Sequence, residues 1–188
     1  LGDYQLAIRH YQAALTLRAS IDDQWGISIS LSNLGSAYRI IGDYEEALDY
    51  YERSLTLAQQ VGRKRSEAYI VHCQGQTRLA LGHLDEAWAL LQQALGLRTA
   101  IGDRLRLLET HTVLIEAALA RGDIEEAHRQ RTTTLALLQP SDRAGLRQEA
   151  YFAAFRLAEQ TGEPDAGRLL ALALVAQNEM AAALPPAE

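Results

Sequence analysis

The side chains of this sequence that could do chemistry are few: five histidines, one cysteine and some paired carboxylates. His10, His72, His83, His111 and His128 include no two residues one helical turn apart and no HExxH, the spacing that sets two imidazoles on one face around zinc. His72 and Cys73 are adjacent, so on a helix they point about 100° apart and cannot chelate one metal without further ligands. There is no glycine-rich phosphate loop and no GxSxG elbow, the frames that phosphoryl transfer and serine hydrolysis commonly use. Glu45 with Glu46, and Glu125 with Glu126, have the look of acid–base pairs, but both fall in the first turn of an expected helix, where the helix dipole favours negative charge. The sequence therefore predicts no catalytic residue, no metal site, no cofactor and no enzymatic activity. Cys73 is expected to serve as a small buried hydrophobe.

The elements that would position any site follow from a repeat. "LGDYQLAIRHYQAALTLRASID" at Leu1 returns as "IGDYEEALDYYERSLTLAQQVG" at Ile41, "LGHLDEAWALLQQALGLRTAIG" at Leu81 and "RGDIEEAHRQRTTTLALLQPSD" at Arg121, every 40 residues without a gap, with a decayed copy from Thr161. The same columns hold Gly2, Gly42, Gly82, Gly122 and Gly162, then Ala7, Ala47, Ala87 and Ala127. A fixed period of this length is the signature of stacked supersecondary units.

Within one copy, Tyr44, Ala47, Leu48, Tyr51, Leu55 and Ala58 recur by threes and fours and line one stripe of a helix. Gly42 is placed to end the preceding helix in the left-handed conformation, and Asp43 to cap the next with Glu46 reaching back; Asp123 and Glu126 repeat the pattern. Further corners at Ile21-Asp22-Asp23, Val61-Gly62-Arg63, Ile101-Gly102-Asp103 and Ser141-Asp142-Arg143 divide each unit into two helices of about 18 residues, or about 27 Å. The expected count is nine helices, all-α, one unpaired and then four pairs.

Totals narrow the function classes. Eighteen basic against 24 acidic side chains give a formal charge of −6, the wrong sign for a protein that neutralises phosphates, so no nucleic acid is expected as partner. No apolar run approaches the ~20 residues of a membrane span, and no membrane partner is expected. A single cysteine allows no internal disulfide framework and fits a reducing, cytoplasmic setting. Leu1 falls inside the repeat frame, which reads as an excised piece of a longer protein.

"NLGSAYRIIGDYEEALDYYERSL" resembles a tetratricopeptide repeat: Leu34-Gly35, Tyr38, Gly42, Ala47 and Tyr51 stand at the family's spacing, with Ser54 where a small residue is usual. The 40-residue length and the Asn33-Leu34-Gly35 lead-in resemble the long-helix variety of kinesin light chains and LGN adaptors. Sensor segments of bacterial signalling ATPases and transcription regulators carry similar repeats. The resemblance is close over residues 1 to 139 and loose over 140 to 183. Gln74-Gly75 and Arg78 depart from the pattern in the third unit, Ile115 and Ala118 in the fourth, and Pro164 and Gly167 in the last.

The resemblance implies a right-handed superhelical α-solenoid of antiparallel helix pairs: a half repeat at 1–22, repeats at 23–62, 63–102 and 103–141, a degenerate capping repeat at 142–183 and a tail at 184–188. It further implies that the first helix of each pair lines a concave groove. The groove-facing candidates are then Ile29, Ser32, Asn33, Ser36 and Arg39; Tyr69, His72 and Gln76; Glu109, Thr112 and Glu116; and Glu149, Phe152 and Arg156. Each set steps by three or four along its helix. Asn33 resembles the asparagine that bonds an extended ligand's backbone in peptide-binding members, and Glu109 with Glu116 would suit a basic segment. The expected function is a scaffold binding a protein or peptide; the alternative is a sensor segment of a larger signalling ATPase or transcription regulator. Leu6, Ala7, Tyr11 and Leu15 are expected to face an absent partner helix and to drive end-to-end self-association.

Overall fold

A computed structural model of the chain describes residues 2–183; Leu1 and the expected tail lie outside the described residues. Among the described residues there are nine helices: α1 (Gly2–Ser20), α2 (Gln24–Ile41), α3 (Tyr44–Gln60), α4 (Lys64–Ala80), α5 (Leu84–Ala100), α6 (Arg104–Arg121), α7 (Ile124–Leu137), α8 (Ala144–Thr161) and α9 (Ala166–Ala182). None is long and apolar enough to cross a membrane. The chain divides into two compact units, residues 1–102 and 103–188, and the division falls on an expected repeat corner.

In the first unit each helix packs on the next in sequence from α1 to α5, and α2 also touches α4. The stripe read from the sequence forms the interior: Ala47, Tyr51 and Ala58 meet Ile70 and Cys73, with Tyr38, Leu55 and Tyr69 packed around them. Gly35 is there because of Tyr51, since a Cβ on it would come within 2.7 Å of the tyrosine ring. Tyr11 and Leu15 pack on the cluster of Ile8, Leu34 and Ala37, so they are occupied by α2. Of the expected self-association patch, Tyr11 and Leu15 are thus covered, while Leu6 remains exposed. The large apolar side chains left open on α1 are Tyr4, Leu6 and Leu17.

The corners use one device. Gly42 has φ 87° and donates its N–H to Arg39, while the N–H of Asp43 reaches back to the carbonyl of Tyr38. Gly82, Gly122 and Gly162 repeat the positive φ and the same pair of bonds, a Schellman-type closure that satisfies the last carbonyls of the helix. Asp22, with φ 53°, stands where the corresponding later corners have Gly62 and Gly102. The caps divide. Asp23 and Asp123 accept from the N–H of Gly26 and Glu126, at 2.9 and 3.0 Å. Asp43 makes no side-chain cap bond, contrary to expectation. Glu126 turns away from its cap, to Arg129 and Gln130.

In the second unit α6 packs on α7, α7 on α8 and α8 on α9, and α6 lies along α8. α7 stops at 14 residues, short of the expected length, because the residue before Pro140 disfavours helix. The freed N–H of Gln139 is taken by the Asp142 carboxylate at 2.8 Å. Asp142 also pairs with Arg104, whose Nη1 donates to the Leu137 carbonyl at 2.7 Å, so one ion pair, its carboxylate buried and its guanidinium half-buried, fastens the broken turn to α6. Its hydrogen bond to Arg104 holds the Asp142 carboxyl below the usual aspartate value. Pro164 precedes the last helix, which begins at Ala166.

Candidate partner-binding face

Helices α2 and α4 of the first unit carry eight of the expected groove residues. Their contact is polar. Ser36 stands 3.1 Å from the Tyr69 hydroxyl on α4 and 3.1 Å from the Tyr51 hydroxyl on α3, and donates to the Ser32 carbonyl at 3.0 Å. The one serine proton is then spent on Ser32, so both phenols donate to Ser36. Burial pushes the Tyr69 hydroxyl up to about 12, raises Tyr51 further and raises the Cys73 thiol. All three are therefore neutral at physiological pH. Cys73 is a free, buried thiol, as its residue type suggested.

Around this centre Ile29, Asn33, Arg39 and Gln76 are half-buried. Ser32 and His72 are buried, at 8% and 5% exposure, which corrects their assignment as open lining residues. The Ser32 hydroxyl is folded back on the Ile29 carbonyl at 3.0 Å. Tyr51 and Cys73, which the sequence marks only as packing residues, belong to the same polar centre. Nothing in the local pattern distinguishes a packed tyrosine from one that also donates a hydrogen bond.

The second unit arranges its candidates differently. Glu109 is held by Arg106 at 2.7 and 2.8 Å, and Glu116 pairs with Arg156 across α6 and α8. Both carboxylates expected to attract a basic ligand are thus neutralised from within the unit. Burial still raises the Glu116 carboxyl above its ordinary value, with Arg156 opposing the shift. Thr112 is buried and bonds the Leu108 carbonyl at 2.9 Å, so it too is a packing position. Glu149 is exposed, its carboxyl raised by desolvation and then by the charge of Glu109. Phe152 is 43% exposed and leans on Phe155, ring centroids 5.9 Å apart. Arg106, Glu109, Arg143, Gly145, Leu146 and Glu149 surround a recess of about 340 Å³.

Among the described residues no group of three or more His, Cys, Asp or Glu side chains is placed to hold a metal ion. What the two faces offer is hydrogen-bonding groups, one exposed ring and a few unbalanced charges.

A family model described as tetratricopeptide repeat matches residues 1–60. No curated protein matches the chain. Among solved structures, BtubC (BKLC) from P. vanneervenii superposes with a TM-score of 0.78 at 18% identity, over 100% of this chain and 78% of that one. A Podosopora anserina putative kinesin light chain with nearly identical TPR-like repeats gives 0.72 at 20% identity, over 97% and 90%. The tetratricopeptide-repeat sensor protein of the STAND class from Pyrococcus horikoshii gives 0.71 at 18% identity, over 96% of this chain but 28% of that one. At these identities the likeness is one of fold.

Proposed function

We propose that this chain, whose residues 1–60 match a tetratricopeptide-repeat model and whose helix pairs are TPR-like, binds an extended peptide segment of a partner protein on the face made by α2 and α4, as such repeats generally serve as protein-interaction modules. The observation that carries this is the state of Asn33. Among the described residues its half-buried amide has no hydrogen-bond partner, although the Ser36 and Tyr69 hydroxyls beside that face are engaged with each other. An amide offers one acceptor and two donors, which matches the alternating groups of a peptide backbone without demanding a particular side chain. In this reading the chain is no enzyme and needs no cofactor, and the reduced, buried Cys73 suits a cytoplasmic setting.

Selection from a displayed peptide library tests it. Asn33→Ala and Gln76→Ala should each weaken binding of the selected peptides about fivefold to tenfold, the worth of one hydrogen bond. Glu52→Ala on α3 should leave it unchanged. Equal affinity for all four proteins would overturn the reading.

A second reading is favoured by the likeness to the Pyrococcus horikoshii sensor protein. There the same face would belong to a sensor segment of a larger signalling ATPase or transcription regulator. Ligand binding would then change hydrogen exchange in a separate output domain, and a scaffold would show no such change.

A further inference from the structure

The 40-residue period lets one part of the chain serve as a control for another. Where α1 and α3 flank α2, Ile8 and Leu34 pack with Leu15, Tyr38 and Tyr50. The two rings stack with centroids 5.3 Å apart, and the Arg53 guanidinium stands 5.3 Å from the centre of the Tyr50 ring. One period on, α3 and α5 both pack on α4. Leu48 and Leu55 repeat the apolar type of Ile8 and Leu15. Gln74, Arg78 and Leu90, however, stand in the columns of Leu34, Tyr38 and Tyr50, and Gln93 in that of Arg53. Both rings, and the guanidinium over one of them, are therefore missing from this copy.

What they leave is a recess. Leu48, Leu55, Gln74, Arg78 and Leu90 line a hollow of about 500 Å³, within the range of roughly 300–1,000 Å³ usual for ligand sites. Arg78 does not fill the place of Tyr38, because its guanidinium turns aside to the Glu86 carboxylate at 3.2 Å. Glu52 on the rim is exposed and, among the described residues, pairs with no cation. The hollow thus combines leucine walls with a surplus negative charge. Gln74 lies two residues from Gln76, about 200° around α4, so the recess opens on the other side of that helix from the α2–α4 face.

We propose that the recess between α3 and α5 is a second docking site, which takes an aromatic side chain from a peptide segment of a partner protein, with a lysine or arginine of that segment answering Glu52. The same columns one period earlier hold two rings and an arginine, so the walls already have the form that encloses a ring. An aromatic anchor in an apolar hollow contributes far more to binding than the contacts around it, and the rim charge adds selectivity. The site lies on a different face from Asn33 and does not depend on the reading given for that face.

The test is a displayed peptide library selected on the chain carrying Asn33→Ala and Gln76→Ala, which takes the α2–α4 face out of the competition, with the affinity of the selected peptides then measured by fluorescence anisotropy. Those peptides should carry Phe, Tyr or Trp with Lys or Arg nearby. Adding Arg78→Tyr with Leu90→Tyr copies the earlier fill into the recess and should weaken binding at least about tenfold, the worth of a buried aromatic anchor. Leu90→Tyr alone keeps the pair of Arg78 with Glu86 and should weaken binding too, so the test survives if circular-dichroism melting shows that the double change does not fold. Glu52→Gln should weaken binding about twofold to fivefold, whereas peptides held on the α2–α4 face are indifferent to Glu52. Selection without aromatic residues, no selected peptide, or unchanged affinity in both filled variants would overturn the recess as a docking site and leave the α2–α4 reading standing. Self-association of the wild type in sedimentation that the filled variants abolish would give the recess to a second copy of this chain and overturn the assignment to a partner.

Discussion

Ser28 on α2 and Ser54 on α3 donate their hydroxyls to each other's backbone carbonyls, at 3.0 and 2.8 Å, with the two oxygens 3.2 Å apart and both side chains buried. Small residues let the helices approach, and the hydroxyls turn the approach into two bonds. Ser28→Ala and Ser54→Ala should each cost about 0.5–1.5 kcal/mol. Because the pair forms one arrangement, the double variant should cost less than the sum by at least about 0.5 kcal/mol. Urea denaturation of the four proteins measures this, and strict additivity would mean that the hydroxyls act independently.

Ala47 is fully buried where α3 meets α2, and the Gly35 notch opposite it is filled by the Tyr51 ring. Ala47→Leu and Gly35→Ala should each destabilise the chain by about 1–3 kcal/mol through overpacking. Gly96 has open space around its Cβ position in the middle of α5, so Gly96→Ala should instead stabilise, by up to about 1 kcal/mol. Thermal melting of the three variants orders them.

Asp142 supplies a pH-dependent contribution. Its folded pKa is lowered by Arg104, so its stabilising effect is full above the unfolded value of about 3.9 and is lost as pH falls through the lower folded value. Asp142→Asn should cost about 1–3 kcal/mol at pH 7. The melting-temperature gap between wild type and variant should narrow progressively below pH ~4. A gap independent of pH would mean that the carboxylate charge is not what holds the turn.

Glu149 should show the opposite sign. Its folded pKa is raised, so ionisation opposes folding, and the penalty appears as pH rises through the unfolded value of about 4.3. Glu149→Gln should melt slightly higher than wild type at pH 7 and equally at pH ~4, the effect being small because the side chain is exposed. Differential scanning calorimetry at the two values distinguishes this from a pH-independent change.

Much of the helical framework was legible because the chain states it repeatedly. The 40-residue period located the corners, the columns of glycine located their left-handed residues, and the threes and fours of Ala47, Tyr51 and Leu55 located the interior. The short α7 was legible in principle too, since Pro140 forbids what the frame expects of residue 139. The face was harder to read. Periodicity assigns a side of a helix, but Ser32, His72 and Thr112 lie at the border where a few degrees of rotation decide between open and buried. Pairings such as Arg156 with Glu116 depend on rotamers and on the spacing between helices, which no single helix encodes.

The corner glycines carry a consequence for how such a chain changes over generations. Gly42, Gly82, Gly122 and Gly162 close their helices with the same two bonds, each made wholly within the turn it closes. A genetic duplication or loss of one period joins a turn to a helix start of a kind it already meets, so no new junction has to be invented. Length becomes an inheritable variable separate from local folding, and selection can adjust how much binding surface the protein presents while each corner keeps its form.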